Sequence, residues 1–136
     1  MDKPTLVMTV GLPRSGKSTW TKTRSVPIVC PDQIRYAMHG QRYQALAEPF
    51  VWATAKVMVR ALFLSGHTVV ILDATNTTQK ARNEWKSPDW KREFKIIPTA
   101  ANVCIERAKA ENDEYIIPII ERMAKQYEAV TAEEED

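Results

Sequence analysis

Apolar residues recur along this chain in two alternating patterns: short unbroken runs and longer segments with helical spacing. Thr5-Leu-Val-Met-Thr-Val10 is the first run, rich in β-branched residues and closed by Gly11, and it predicts a strand buried on both faces. Ser18-Thr-Trp-Thr-Lys-Thr23 begins a short helix. Val26-Pro-Ile-Val-Cys30 predicts a second strand, and Pro27, which cannot donate to a sheet ladder, puts it at an edge. Asp32 to Met38 predicts a helix with Asp32 at or near its N-terminus, where a carboxylate is favoured. His39 to Ala45 has no period and predicts a loop. Glu48-Pro49 starts the longest helix, in which Phe50, Trp52, Ala53, Val57, Ala61 and Leu62 include neighbours at helical spacing and Gly66 supplies the stop.

The clearest strand is Thr68-Val-Val-Ile-Leu-Asp73, four apolar residues in a row ending in an aspartate. Thr77 and Thr78 can cap a helix from Gln79 to Trp85, which stops before Ser87-Pro88. Phe94-Lys-Ile-Ile97 predicts a fourth strand, Asn102 to Ala110 a helix broken by Asn112-Asp113, and Pro118 opens a last helix to about Val130. Strands alternating with helices predict an α/β domain, with a parallel sheet and right-handed crossovers.

At 136 residues the chain fits one domain, taken as residues 1–130 followed by an acidic tail at 131–136. Hydrophobic residues make up 44%, enough for one core. No stretch approaches the roughly 20 apolar residues of a membrane span, so no membrane partner is expected. The N-terminus lacks the layout of a signal peptide, and Cys30 and Cys104, far apart, read as reduced thiols, so a cytoplasmic location is expected. His39 and His67 show no ligand spacing with the cysteines, and no structural metal is assigned. The net charge of +2 does not by itself imply a nucleic-acid partner. Its distribution is uneven, basic through Lys95 and ending in Glu133-Glu-Glu-Asp136, which reads as a solvated tail.

Gly11-Leu-Pro-Arg-Ser-Gly16-Lys17-Ser18 carries the strongest chemistry. Gly11 permits a tight turn after the first strand, and Gly16 lets the backbone approach a phosphate. Lys17 brings a cation to the β- and γ-phosphates, and Ser18 can place its hydroxyl on Mg²⁺. The following helix points its N–H groups at the same anion. Asp73, at the end of an apolar strand, sits where such sheets bind ligands and suits a metal-holding role; the alternative is an aspartate that starts the turn Ala74-Thr75-Asn76. Asp32 follows a strand too. It can accept a proton from a hydroxyl acceptor, while Arg35, on the same helix face, can bind a neighbouring anionic group. The alternative is a capping aspartate with a surface ion pair to Arg35.

Lys56 and Arg60, one turn apart, line either an acceptor groove or a solvated helix face. Trp20 and Trp52 are expected in the core, and Trp90, flanked by Pro88, Asp89 and Lys91, is the candidate for base stacking.

Together Gly11 to Trp20, Asp32-Gln-Ile-Arg35, Asp73-Ala-Thr-Asn76 and Arg82-Asn-Glu-Trp85 resemble the 5′-kinase domain of phage-type polynucleotide kinases. They equally resemble the wider set of small P-loop kinases often labelled AAA-family ATPases. The resemblance runs over nearly the whole chain, including Pro118 to Glu128 as a closing helix. It implies a three-layer P-loop NTPase domain of kinase type, with a four-stranded parallel sheet in the order 2-3-1-4 and the site at the strands' C-terminal ends.

The resemblance further implies ATP and Mg²⁺ as cofactors. Gly11, Pro13, Arg14, Ser15, Gly16, Lys17, Ser18 and Thr19 would bind the nucleotide, and Ser18 and Asp73 the metal. Lys17, Asp32 as general base, Arg35 on the acceptor phosphate and Arg107 in the lid would form the catalytic set. Asp73 or Asn76 would line the metal and acceptor side. Two departures stand out. In these kinases the aspartate usually directly precedes Thr-Asn, whereas here Ala74 does, which suits Asp73 to the metal better than to the acceptor. The lid usually carries two arginines, whereas Arg107 is followed by Ala108-Lys-Ala-Glu-Asn112, leaving Lys109 or Arg122 for the second cation. The implied acceptor is a polynucleotide 5′-OH. A nucleotide-like small molecule or modified DNA base, and an ATP-binding regulatory module without transfer, are the alternatives.

Overall fold

β1 (Thr5–Val10) lies inside a four-stranded sheet with order β2-β3-β1-β4, in which β2 is Ile28–Val29, β3 Val69–Leu72 and β4 Lys91–Ile96. All the pairings are parallel, as the resemblance implied. The computed structural model describes residues 2–134. Its helices are α1 (Lys17–Thr21), α2 (Pro31–His39), α3 (Glu48–Leu64), α4 (Gln79–Asn83), α5 (Ala101–Ala110) and α6 (Ile117–Gln126). No helix among the described residues is long and apolar enough to cross a membrane.

Register decides what each face buries. Leu6 stands beside Val70 and Arg92, and Met8 beside Leu72 and Phe94. Paired residues point to the same side of a parallel sheet. Leu6, Met8, Val70, Leu72 and Val29 therefore form one apolar surface, against which Ile34 of α2 and Val51, Ala55 and Val59 of α3 pack. A second cluster joins Leu12, of the glycine loop, to Cys104 and Ala108 of α5 and Ile120 of α6. The α5–α6 pair is thus held against the loop and not against the main core. Cys30 and Cys104 are free thiols, and burial pushes both above the usual range.

Several expectations change. β4 starts at Lys91, three residues ahead of the apolar run, because it pairs with β1 from Thr5↔Lys91 to Val10↔Ile96. α6 ends at Gln126 and not near Val130: Tyr127 leaves helical geometry, and the Glu128 N–H donates to the Thr77 carbonyl at 2.8 Å. Trp90 is buried, with its Nε1–H donating to the Trp85 carbonyl at 2.9 Å, and it precedes β4 at the end of the sheet opposite the glycine loop. It does not stack on bases. Lys56 lies over the Trp85 ring, and Arg60 lies over Trp90 and pairs with Asp89, so neither lines a groove at the strands' C-terminal ends. The core tryptophans are Trp85 and Trp90; Trp52 packs edge-on against Trp85, and Trp20 stays half-buried beneath Lys95 and Arg24.

The acidic end is not a solvated tail as far as Glu134. Its carboxylate is buried and accepts from Arg82 Nε at 2.8 Å and Nη2 at 3.2 Å, while its carbonyl accepts from Arg92 Nη2 at 2.7 Å. The buried Arg82 guanidinium needs a counter-charge, and this carboxylate supplies it. Glu135 and Asp136 lie outside the described residues. The Arg82 hydrogen bonds hold the Glu134 carboxyl below its ordinary value. Such a group contributes stability above its unfolded value, about 4.3, and loses it as pH falls through the folded one. Glu134→Gln is expected to lower stability at neutral pH by about 1.5–3 kcal/mol, the worth of hydrogen bonds to charged groups. Urea titration reads this as a lower midpoint, with parent and variant converging in acid. Equal midpoints at neutral pH would mean that the pair contributes nothing.

Candidate active site

The strand order brings the site together. β3 is the neighbour of β1, so the residue that follows β3 meets the loop that follows β1, and β2 lies on the far side of β3. The Gly11 N–H donates to the Thr75 carbonyl, and the Asp73 N–H to the Val29 carbonyl. A Cβ at Gly11 would stand 2.8 Å from Ser15 Oγ and 2.9 Å from the Ile97 carbonyl, so only glycine fits there. Gly16 has φ of 103°, in the left-handed region, and the one atom near an added Cβ would be Arg107 Nη1 at 3.9 Å. Thr99 Oγ1 donates to the Ser15 carbonyl at 2.7 Å and ties the loop to the segment before α5.

Lys17 is buried at the start of α1, and its ammonium donates to the Leu12 carbonyl at 2.7 Å. Burial pulls its pKa below the ordinary lysine value, against the opposing pull of Asp73 and Asp32. Ser18 Oγ donates to Asp73 Oδ2 at 2.8 Å, and Thr21 Oγ1 stands 3.5 Å from the same oxygen. Lysine, serine hydroxyl and aspartate thus converge at one end of the sheet.

Asp32 is the second residue of α2, whose N-cap residue, Cys30, makes no side-chain cap bond. Its side chain is 80% exposed and accepts from Arg35 Nη1 at 2.6 Å. The remainder of the Arg35 fork grips Glu48, Nε at 2.9 Å and Nη2 at 2.7 Å, with the guanidinium 5.8 Å from the Trp52 ring centre. Asp32 is therefore free on one flank, whereas Arg35 is held by two carboxylates. Asn76, expected to line the site as an alternative to Asp73, is buried: Nδ2 donates to the Thr9 carbonyl at 2.9 Å, and its own carbonyl accepts from Arg82. It shapes the turn after β3.

The lid segment meets the loop through arginines. Arg107 Nη1 donates to the Arg14 carbonyl at 3.1 Å. Arg14 itself pairs with Glu111 and, at 2.8 Å, with Asp113. Asp113 also binds Arg42 at 2.8 Å and 3.3 Å, and Arg42 stacks on Tyr115 at 4.6 Å. Arg42 first and Arg14 next hold the Asp113 carboxyl below its usual value. Lys109 pairs with Glu106 on the exposed side of α5, away from the loop. Besides Arg107, the guanidiniums of Arg14 and Arg42 meet the lid segment, and Lys109 does not; Arg42 is the one outside the glycine loop and α5. Sequence reading missed it and Glu48, because neither sits in a motif.

The residues fit a nucleotide phosphate with a divalent cation. Ser15 Oγ is buried with no hydrogen-bond partner among the described residues, inside a loop whose open side faces Arg107. Ser18 and Asp73 are oxygen donors of the kind hard cations take. Lys17, with three N–H donors, is turned onto a loop carbonyl that a phosphate oxygen can replace.

The sequence model of an AAA domain matches residues 6–130. Among solved structures, the chain is similar to a chain of the Pnkp1/Rnl/Hen1 complex, with 26% identity and a TM-score of 0.69 over 79% of this chain and 40% of that one. A chain of the Pnkp1/Rnl/Hen1 RNA repair complex matches at 16% identity and a TM-score of 0.70, over 94% of this chain and 47% of that one. A gluconokinase from Sinorhizobium meliloti 1021 matches at 15% identity and a TM-score of 0.61, over 98% and 80%. The last two likenesses concern the fold alone. The chain spans less than half the length of the first two. No curated protein matches its sequence. With the P-loop, the parallel 2-3-1-4 sheet and a family match over nearly its whole length, the chain belongs to the AAA domain family, and its resemblance to the small P-loop kinases of the polynucleotide kinase group is borne out.

Proposed function

We propose that this domain transfers the γ-phosphoryl group of ATP to the 5′-hydroxyl of a polynucleotide. The observation that carries the reading is the convergence of Lys17, the Ser18–Asp73 pair and the exposed Asp32 carboxylate at the C-terminal ends of β1, β3 and β2. In this reading the loop from Gly11 to Thr19 holds the phosphates, and Lys17 leaves the Leu12 carbonyl for their β- and γ-oxygens. Ser18 and Asp73 hold Mg²⁺, which when bound offsets phosphate charge. Arg107, already against the loop, reaches the transferring group. Asp32 takes the proton of the attacking hydroxyl. The oxygen–phosphorus bond to the acceptor forms as the bond between the γ-phosphorus and the bridging oxygen breaks, and ADP leaves.

Arg35 favours a polynucleotide over a simple alcohol. A fixed, planar guanidinium beside the general base suits a phosphate next to the attacking hydroxyl, which a 5′-terminal nucleotide carries on its 3′ side. The 26% identical relative is a chain of the Pnkp1/Rnl/Hen1 complex, which a second structure describes as an RNA repair complex, and this supports a nucleic-acid acceptor.

The test is transfer from labelled ATP to a panel: 5′-hydroxyl DNA and RNA oligonucleotides, nucleoside 3′-monophosphates, base-modified DNA and a sugar acid. Label at oligonucleotide 5′ ends is the expected result. Label only in a small acceptor would overturn the polymer reading, and ATP binding with no transfer would make the domain a regulatory module. Arg35→Ala is expected to raise the acceptor KM more than it lowers the rate at saturation, because the contact is made in the bound ground state as well. A purely structural role for Arg35 would instead reduce both ATP binding and thermal stability.

A further inference from the structure

α3 is apolar on two opposite sides. Val51, Ala55 and Val59 face the core. On the other side Phe50 is 66% exposed, Val57 67% and Leu64 81%, and Ala53 and Ala61 are exposed between them. These five positions fall on one helical stripe, with Phe50, Val57 and Leu64 in a strict seven-residue repeat. A helix that is hydrophobic all round is normally covered on every side.

The order of sizes along the stripe is its most informative property. Phe50 and Leu64 stand seven residues to either side of Val57, and Ala53 and Ala61 stand four to either side. The stripe therefore reads large, small, medium, small, large in both directions. Laid antiparallel on a second copy about a two-fold axis at Val57, Phe50 comes level with the partner's Leu64 and Ala53 with the partner's Ala61. The alanines permit close approach of the two helix axes, at about 8–10 Å. That is the self-complementarity an isologous interface requires.

Charge agrees. The same axis sets Lys56 level with Met58 and Arg60 level with Thr54, so neither flank opposes like charges. Both cations are folded back onto their own chain, Lys56 over Trp85 and Arg60 over Trp90 and onto Asp89. The stripe itself is left uncharged. The helix has 17 residues and is about 25 Å long at 1.5 Å per residue. Its large, mostly exposed side chains, with Leu46 just before the helix at 93% exposure, offer the area from which an interface can be built. A standard interface needs about 800 Å² per partner, roughly a tenth of a small protein's surface.

We infer that the outer face of α3 is a self-association surface, on which two copies of this chain pair antiparallel about Val57. The inference is independent of the phosphotransfer reading, since the stripe contains none of the residues assigned to it.

Sedimentation at micromolar concentration is expected to give twice the 15.5 kDa chain mass. Val57→Glu places two like charges on the axis and is expected to give a folded monomer whose melting temperature, unlike the parent's, does not depend on protein concentration, because the side chain is exposed in the single chain and only the association is lost. In a Cys30→Ser background, Val57→Cys is expected to cross-link between copies under mild oxidation, and Phe50→Cys is not, the two Phe50 positions lying about 21 Å apart along an antiparallel pair. A parent chain that sediments as a monomer, a Val57→Glu variant that stays dimeric, or Phe50→Cys cross-linking as readily as Val57→Cys would each overturn the inference.

Discussion

Lys17→Ala is expected to reduce phosphoryl transfer to background while leaving the chain folded. The ammonium is buried at the end of β1 and held by one carbonyl of its own loop, an arrangement that costs desolvation and supplies little packing. Burial pulls its pKa down, so the folded chain gains little from the charge in the absence of ligand. Removing it leaves the Leu12 carbonyl with the Ser15 N–H at 3.1 Å as its donor, a loss of about 1 kcal/mol that water entering the open loop can offset. Transfer is affected far more. Charge develops on the γ-phosphoryl oxygens and the bridging oxygen, and a preorganised cation there stabilises the transition state directly, often by several kcal/mol. Transfer from labelled ATP, with thermal melting measured alongside, separates the two effects. Near-normal turnover in the variant would refute the donor site assigned to the glycine loop.

Asp32→Asn is expected to lower the transfer rate by roughly two to four orders of magnitude, the span of general acid–base catalysis, with ATP affinity within a few-fold of the parent. The surroundings of Asp32 make this a clean substitution. The carboxylate is largely exposed and, among the described residues, makes its ion pair with Arg35 alone. Arg35 keeps both hydrogen bonds to Glu48 when that charge is lost, so the acceptor-binding group stays in place. Asparagine preserves the size and an acceptor oxygen for Arg35 but cannot take the proton. Single-turnover transfer and ATP titration of the same variant provide the test. Intact phosphorylation would reduce Asp32 to one half of a surface ion pair and move the search for the base to Asp73. That carboxylate already accepts from Ser18, so its double role would need its own explanation.

Glycine-loop geometry, β1, β3 and the Asp73 position were legible in the sequence because each is local. A strand, a turn that only glycine can make and the residue that closes the next strand are written in consecutive positions, and parallel α/β topology carries them to the same end of the sheet. Asp32 and Arg35 were legible for the same reason, lying three residues apart on one helix. Their environments were not. Whether Arg35 is free or gripped depends on Glu48, which enters from the start of α3.

Tertiary structure alone decided the long-range ion pairs and the burial of the aromatic rings. Arg42 meets Asp113 across 71 positions, and Arg82 meets Glu134 across 52. Charged residues have no periodic signature, so a pair formed at that distance looks the same in sequence as two solvated side chains. The acidic end illustrates this: four carboxylates in a row read as a tail, and Glu134 docks because Arg82 and Arg92 are buried at the foot of β4. Trp90 reads as exposed from its polar neighbours, yet the parallel register of β4 with β1 extends that strand back to Lys91 and carries the ring under the core. Local sequence determined which chemistry the loop and strand ends carry, because backbone conformation and strand pattern act over a few residues. Packing decided which charges are held and which rings are covered, because burial is a property of surfaces that meet only once the chain has folded.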